Sequence, residues 1–352
     1  MDLTSILLLP ASAGLLVAIA ATPGAHKIAV HLKIFASKNE RTVHNDATPK
    51  LGGLSIFLAF ASGLLILTYF TKDVPTMAGL LLGGTLMLFV GLIDDLSELT
   101  CYRKMAGQVF AAISAVAFGF VVETIYLPWG ATMELGVWAA PLSVFWIVAL
   151  INAINLLDGL DGLAAGFVAV SALFVFIAAM LFHSIVVAAP ALILCAAALG
   201  FLRYNFAPAK IFMGDMGSLF LGYMLACTSL KAFTLPEVGT NAAGLLALFL
   251  LPLADTLIAI LRRLSEGRHP FSADRKHIHH RLLGLGLSQT AAVLIIYAAT
   301  FLCGAVALVL LSAEAHISVT VFVFLLLLFV LAFVQLGCFD FLNRREYSKE
   351  LG

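Results

Sequence analysis

Five short polar segments interrupt an otherwise apolar chain, and their residue types suit phosphate and metal chemistry. Asp94 and Asp95 stand side by side after Gly91-Leu-Ile, and adjacent carboxylates repel unless a cation or a proton compensates them. Asn152, Asn155 and Asp158 recur every third residue, so a helix would align them along one side. The following Gly-Leu-Asp161-Gly lets the backbone turn close to a ligand, with Asp161 placed to cap the next helix. In Met213-Gly-Asp215-Met-Gly-Ser218 the flanking glycines leave Asp215 free to ligate a hard cation. Ser218 is expected as the N-cap of a helix whose N-terminus attracts phosphate.

The fourth segment crowds Arg275, Lys276, His277, His279, His280 and Arg281 behind Asp274, a dense set of donors for diphosphate oxygens. Three histidines would also suit zinc, but no thiolate is near and carboxylate-rich sites favour oxygen-loving ions; a polybasic patch for anionic lipid is a further alternative. The fifth, Thr48-Pro-Lys50-Leu-Gly52-Gly53, would hold Lys50 beside a flexible glycine pair, as a phosphate loop requires. Each segment has a plainer reading as a solvated helix end, a turn or a retained positive charge. Four or more such groups together in so apolar a neighbourhood are harder to explain that way.

The elements that carry them belong to a membrane protein. Of 352 residues, 62% are hydrophobic and 11% charged, with a mean hydropathy of +1.06, which excludes a soluble globular chain. Lys plus Arg equals Asp plus Glu at 20 each, so nothing favours a nucleic-acid partner. Five scattered cysteines without a CxxC pair indicate neither a disulfide framework nor a zinc ribbon. Eleven apolar runs are long enough to be read as transmembrane helices, at 6–21, 51–70, 77–93, 105–122, 137–151, 163–182, 185–202, 218–233, 242–261, 289–311 and 317–338. Ten is the alternative count, because Pro141 interrupts the fifth run and only His183 and Ser184 separate the sixth from the seventh.

A secretory signal is the weaker reading of the first run, since no Lys or Arg precedes it and five follow in the next connector. With the N-terminus outside and the C-terminus cytoplasmic, only Lys72 and Lys231 of the 20 Lys and Arg residues fall on the outer side. The expected fold is thus an all-α polytopic bundle of about eleven transmembrane helices. Residues 1–338 form one membrane domain, 339–352 a short cytoplasmic tail, and an active-site cleft opens on the cytoplasmic face. All five polar segments lie on that face rather than at the midplane, where a transporter would carry them. Asp255, after Pro252 in the ninth run, is an intramembrane carboxylate without an assigned role.

Taken in order, the segments at 44–53, 91–95, 152–163, 212–222 and 269–280 resemble the successive cytoplasmic motifs of the polyprenyl-phosphate N-acetylhexosamine-1-phosphate transferases, glycosyl transferase family 4. The His-Ile-His-His ending at His280 is similar to the WecA and TagO branch rather than to the phospho-MurNAc-pentapeptide transferase, which is the alternative. That resemblance implies transfer of a HexNAc-1-phosphate, foremost GlcNAc-1-phosphate, from its UDP-sugar to undecaprenyl phosphate in the bacterial inner membrane. It also implies Mg²⁺, with Mn²⁺ as a possible substitute, and a homodimer. By position, it implies metal binding for Asp215, with Asp94, Asp95 and Asp158 beside it, and catalytic roles for Asp94, Asp95, Asp158, Asp161 and His279. Substrate contacts are implied for Lys50, Asn152, Asn155, Arg275, His277 and His280. A cation or lipid-phosphate transporter is the expected rival from another class.

Overall fold

A computed structural model describes residues 3–36, 48–71, 73–126, 131–234, 242–272, 274, 276–312 and 314–341. Of the residues singled out above, Lys72 and Arg275 lie outside them, as do positions 44–47 of the first motif segment and 342–352 of the expected tail. Every apolar run is helical. In chain order the helices are α1 (Leu3–His31), α2 (Gly52–Thr71), α3 (Val74–Ser97), α4 (Cys101–Ala117), α5 (Ala139–Leu157), α6 (Leu163–Leu181) and α7 (Ile185–Asn205). They continue with α8 (Gly214–Phe233), α9 (Ala242–Leu248), α10 (Leu250–Ser265), α11 (Ile278–Gly284), α12 (Gln289–Ser312) and α13 (Ala315–Gln335). A small antiparallel hairpin, β1 (Thr124–Tyr126) with β2 (Thr132–Glu134), sits between α4 and α5.

Among the described residues nine helices are long and apolar enough to cross a membrane, or ten if α9 and α10 count as one span bent by 77°. The chain is an all-α, multi-pass membrane protein. At 17 residues α4, in the run at 105–122, stands at the short end of spanning lengths and is not among those nine or ten, so they fall short of the expected eleven. Pro141 does not interrupt α5: it falls in the first turn, where a missing N–H leaves no broken bond. α6 and α7 are separate, parted by His183 in a left-handed conformation.

Lipid offers no hydrophobic drive for helix association, so close contact through small residues has to hold the bundle together. Ala18 of α1, Ala59 of α2 and Ala197 of α7 are all fully buried and pack as one cluster. At the centre stands α8, with 94% of its apolar window buried and contacts to α2, α3, α5, α6 and α7. By contrast α13 buries only 17% of its window and lies at the periphery. After α13, Arg281 Nη1 donates to the Leu336 carbonyl at 2.8 Å and lies 3.8 Å from Asp340 Oδ2, within the expected tail. Because α8 is the pillar, whatever sits at its N-terminus is within reach of loops from most of the bundle.

Candidate active site

The N-terminus of α8 is built by hydrogen bonds from distant segments. Phe212 N–H donates to Pro49 O, and Gly52 and Gly53 N–H donate to Phe212 O and Met213 O, each at 2.9 Å. These bonds lay residues 49–53 alongside 212–213 and bring Lys50 to the start of α8. They also tie down the glycine pair that was expected to be flexible: both amides have backbone partners, and a Cβ on Gly53 would collide with the backbone of Gly217.

A second correction concerns the helix start. α8 begins at Gly214, whose φ of +69° suits glycine, four residues before the expected cap. Ser218 is therefore inside the helix and caps nothing. The capping group comes from α3: Asp95 Oδ1 accepts from Asp215 N–H at 2.9 Å and Asp95 Oδ2 from Met216 N–H at 3.0 Å. Lys50 Nζ completes the carboxylate's shell at 2.6 Å, and the Asp95 side chain has no exposed surface. Asp95, expected as base or metal ligand, has both oxygens in these bonds, which occupy the amides of Asp215 and Met216.

The neighbouring carboxylates point into the site. Lys104 Nζ, from the first turn of α4, lies 2.8 Å from both Asp94 Oδ2 and Asp215 Oδ1. Asp94 is fixed further by the Leu99 N–H at 2.7 Å. Asp215 is the most accessible of the three acids, its side chain 24% exposed, with Lys50 Nζ 3.7 Å from its outer oxygen. Asn155 joins the same network, donating to Asp215 Oδ1 at 2.8 Å and to Ser218 Oγ at 2.9 Å while accepting from Lys104 Nζ at 2.8 Å. Lys104 is the residue that sequence reasoning passed over; its signal was an ammonium one turn inside an apolar helix, where a charge needs partners.

Asp158 follows α5 as its C-cap. Desolvation, and after it the Asp215 carboxylate, push its carboxyl up to about 7. At Lys50 burial opposes the charge, but Asp95 outweighs it, with Asp215 and Asp158 beyond, and holds the ammonium above its ordinary value.

Two expected site residues are engaged within the protein. Asn152 and Gln108 exchange amide hydrogen bonds of 2.6 and 3.3 Å across the α5–α4 interface. Asp161 is buried and accepts from Ala209 N–H at 2.8 Å, while Gly162 is the actual N-cap of α6. The histidine turn closes the other side. His279 is buried, its Nε2 so close to Gly159 that a Cβ there would overlap it, and the His279 and His280 rings are 4.3 Å apart. Burial first, then His280, lowers His279 to about 3. Loop 266–277 reaches α4, where Tyr102 Oη and His269 Nε2 are 3.2 Å apart.

The site thus gathers Asp94, Asp95, Asp158 and Asp215 around two ammonium groups. Among the described residues no three His, Cys, Asp or Glu side chains converge closely enough to hold an ion on their own. Zinc would require a closed nitrogen and sulfur set that these residues do not form. The oxygen donors present, the Asp94 and Asp215 carboxylates, are of the kind a hard divalent cation takes.

A profile described as glycosyl transferase family 4 matches residues 77–233, the stretch from α3 through α8 that carries these acids. A probable undecaprenyl-phosphate N-acetylglucosaminyl 1-phosphate transferase of Bacillus subtilis is 37% identical over 306 residues, covering 86% of this chain and 85% of the relative. The chain belongs to glycosyl transferase family 4. Other relatives are the decaprenyl-phosphate N-acetylglucosaminephosphotransferase of Mycobacterium tuberculosis and the undecaprenyl-phosphate alpha-N-acetylglucosaminyl 1-phosphate transferase of Escherichia coli. The first is 39% identical over 307 residues, spanning 79% of this chain and 76% of its own; the second is 30% identical over 291 residues, spanning 79% and 77%. In this member of glycosyl transferase family 4 the matched region ends with α8, so the histidine turn and the α10 residues behind it lie beyond the profile.

Proposed function

We propose that this protein transfers GlcNAc-1-phosphate from UDP-GlcNAc to undecaprenyl phosphate, giving undecaprenyl-diphosphate-GlcNAc and UMP. The observation that carries the reading is the ammonium of Lys104 held between Asp94 and Asp215, acids from two different helices meeting at one accessible point. The relatives' activities, borne by chains that align over most of their length, support the same reaction.

Chemically the difficulty is repulsion between two anions, a lipid phosphate and a sugar nucleotide. An oxygen of the lipid phosphate attacks the phosphorus attached to the sugar; that new P–O bond forms as the bond to the bridging oxygen breaks, and UMP leaves with it. Asp215, with Asp94 beside it, would hold Mg²⁺, which when bound would supply charge withdrawal from the phosphorus and stabilisation of the departing phosphate. Lys50 and Lys104 add positive charge on the protein side. A phosphate monoester has its second pKa near about 6, so the acceptor is mostly dianionic at neutral pH and needs no strong base. Asp94 takes any residual proton and orients the acceptor; direct in-line attack therefore accounts for the reaction without a covalent aspartyl intermediate. Asp95 positions Asp215 and Lys50 rather than touching substrate. Asp158, His279 and His280 line the donor side, and Asn155 orients Asp215.

The distribution of Lys and Arg supports a cytoplasmic site in the inner membrane with the N-terminus outside. The homodimer belongs to the same reading and is checked by the mass of the detergent-solubilised particle. The deciding experiment measures UMP release by purified protein with Mg²⁺ against a panel of UDP-sugars. Release from UDP-GlcNAc only when a polyprenyl phosphate is present is expected. Preference for UDP-MurNAc-pentapeptide, or no UMP from any donor, would sink the proposal.

A further inference from the structure

Asp255 lies on α10 and is 5% exposed, a charge in an apolar helix that must be compensated. Both its oxygens are used by one short stretch of chain. Oδ2 is 2.8 Å from His277 Nδ1, and Oδ1 accepts from the Ile278 N–H at 2.9 Å. Ile278 is the first residue of α11, and the His277 side chain does not cap that helix, so Asp255 supplies the cap from 23 residues away. An ionised carboxylate only accepts, so the ring nitrogen facing it carries the hydrogen and the lone pair of a neutral His277 is left on Nε2.

The same helix holds the rest of the loop. Two turns on, Arg262 Nε donates to Asp274 Oδ2 at 3.1 Å, and Arg263 Nη1 bonds the Pro270 carbonyl. α10 is thus a rail with three anchors along loop 266–277. What the rail positions is the histidine turn: the His277 and His279 rings lie parallel, 5.9 Å apart, and His279 abuts Gly159 beside Asp158.

We propose that Asp255 is a positioning residue for the transfer reaction, acting through His277 to set both the tautomer of that ring and the placement of His279 and His280 against the Asp158–Gly159 loop. This rests on the transferase reading of the site.

The test is a double-mutant cycle on the purified full-length protein, following UMP release with UDP-GlcNAc, undecaprenyl phosphate and Mg²⁺. H277Q and D255N are each expected to lower kcat by about 10–100-fold, as for other carboxylate–histidine pairs, with a smaller change in the KM for lipid acceptor and, for H277Q, an unchanged thermal transition. D255N keeps the oxygen that accepts from Ile278 but turns an amide toward the ring. Because the two residues act as one unit, the double variant should be no slower than the worse single variant. Losses that multiply, or an H277Q protein with wild-type kcat, would overturn the inference even if D255N does not fold. A wild-type protein that releases no UMP would instead overturn the transferase reading and this inference with it.

Discussion

Asp95 and Met216 are joined by a hydrogen bond of 3.0 Å between chain segments 121 residues apart, and together with the Asp215 bond it fastens the end of α3 onto the start of α8. Asp95→Ala leaves two helix amides and the Lys50 ammonium without their acceptor. The expected cost is about 3–5 kcal/mol, the size found when one partner of a buried pair is removed. A thermal transition in detergent lower than that of Asp94→Ala checks this; equal transitions would mean that Asp95 is no scaffold.

Lys104 bridges Asp94 and Asp215, so Lys104→Met should leave their charges uncompensated and remove a cation from the proposed site. Turnover is expected to fall by about 100-fold or more, in line with loss of a preorganised electrostatic group, while the helices stay folded. Wild-type UMP release by this variant would exclude Lys104 from the site.

Asp215→Asn should nearly abolish turnover, and added Mg²⁺ should not restore it. Calorimetric titration of Mg²⁺ in the presence of UDP-GlcNAc supplies a readout apart from activity. Undiminished Mg²⁺ binding by the variant would dismiss Asp215 as the ligand.

Gly159→Ala places a methyl group on the His279 ring, which has to turn away from the donor side. The expected signature is a raised KM for UDP-GlcNAc with little change in the thermal transition, since the obstructed atom ends a side chain and is not backbone. An unchanged KM would show that this contact does not bear on the donor.

The pH dependence of stability follows from the His279 imidazole, held at about 3 against an ordinary 6.5. Between those values the unfolded chain carries a proton that the folded one lacks, so stability rises with pH across that window and is lost as pH falls from about 6.5 toward 3. Asp158, raised to about 7, acts in the opposite sense in both proteins, so the His279 contribution is read as a difference: from pH 7 down to about 5 the wild-type thermal transition should fall relative to that of His279→Gln. An equal slope in both proteins would contradict the buried neutral ring.

The sequence by itself determined the apolar helices and the segments between them that carry acids, amides and histidines, because lipid admits only long apolar helices and makes stray charges conspicuous. Even α4, short as it is, was readable on that basis. Only the tertiary structure decided what each polar residue does. Ser218 looked like a cap and Asp95 like a ligand, yet the cap of α8 comes from Asp95 itself across 120 residues, a bond that no local pattern encodes. Gly52 and Gly53 looked like a flexible hinge beside Lys50, yet the carbonyls of Phe212 and Met213 hold their amides. Asp255 had no visible purpose until α10 folded back under the histidine turn. Residue type and spacing set which donors and acceptors a segment owns; which of them remain available for substrate depends on the partners that other helices bring, and those are fixed only when the bundle packs.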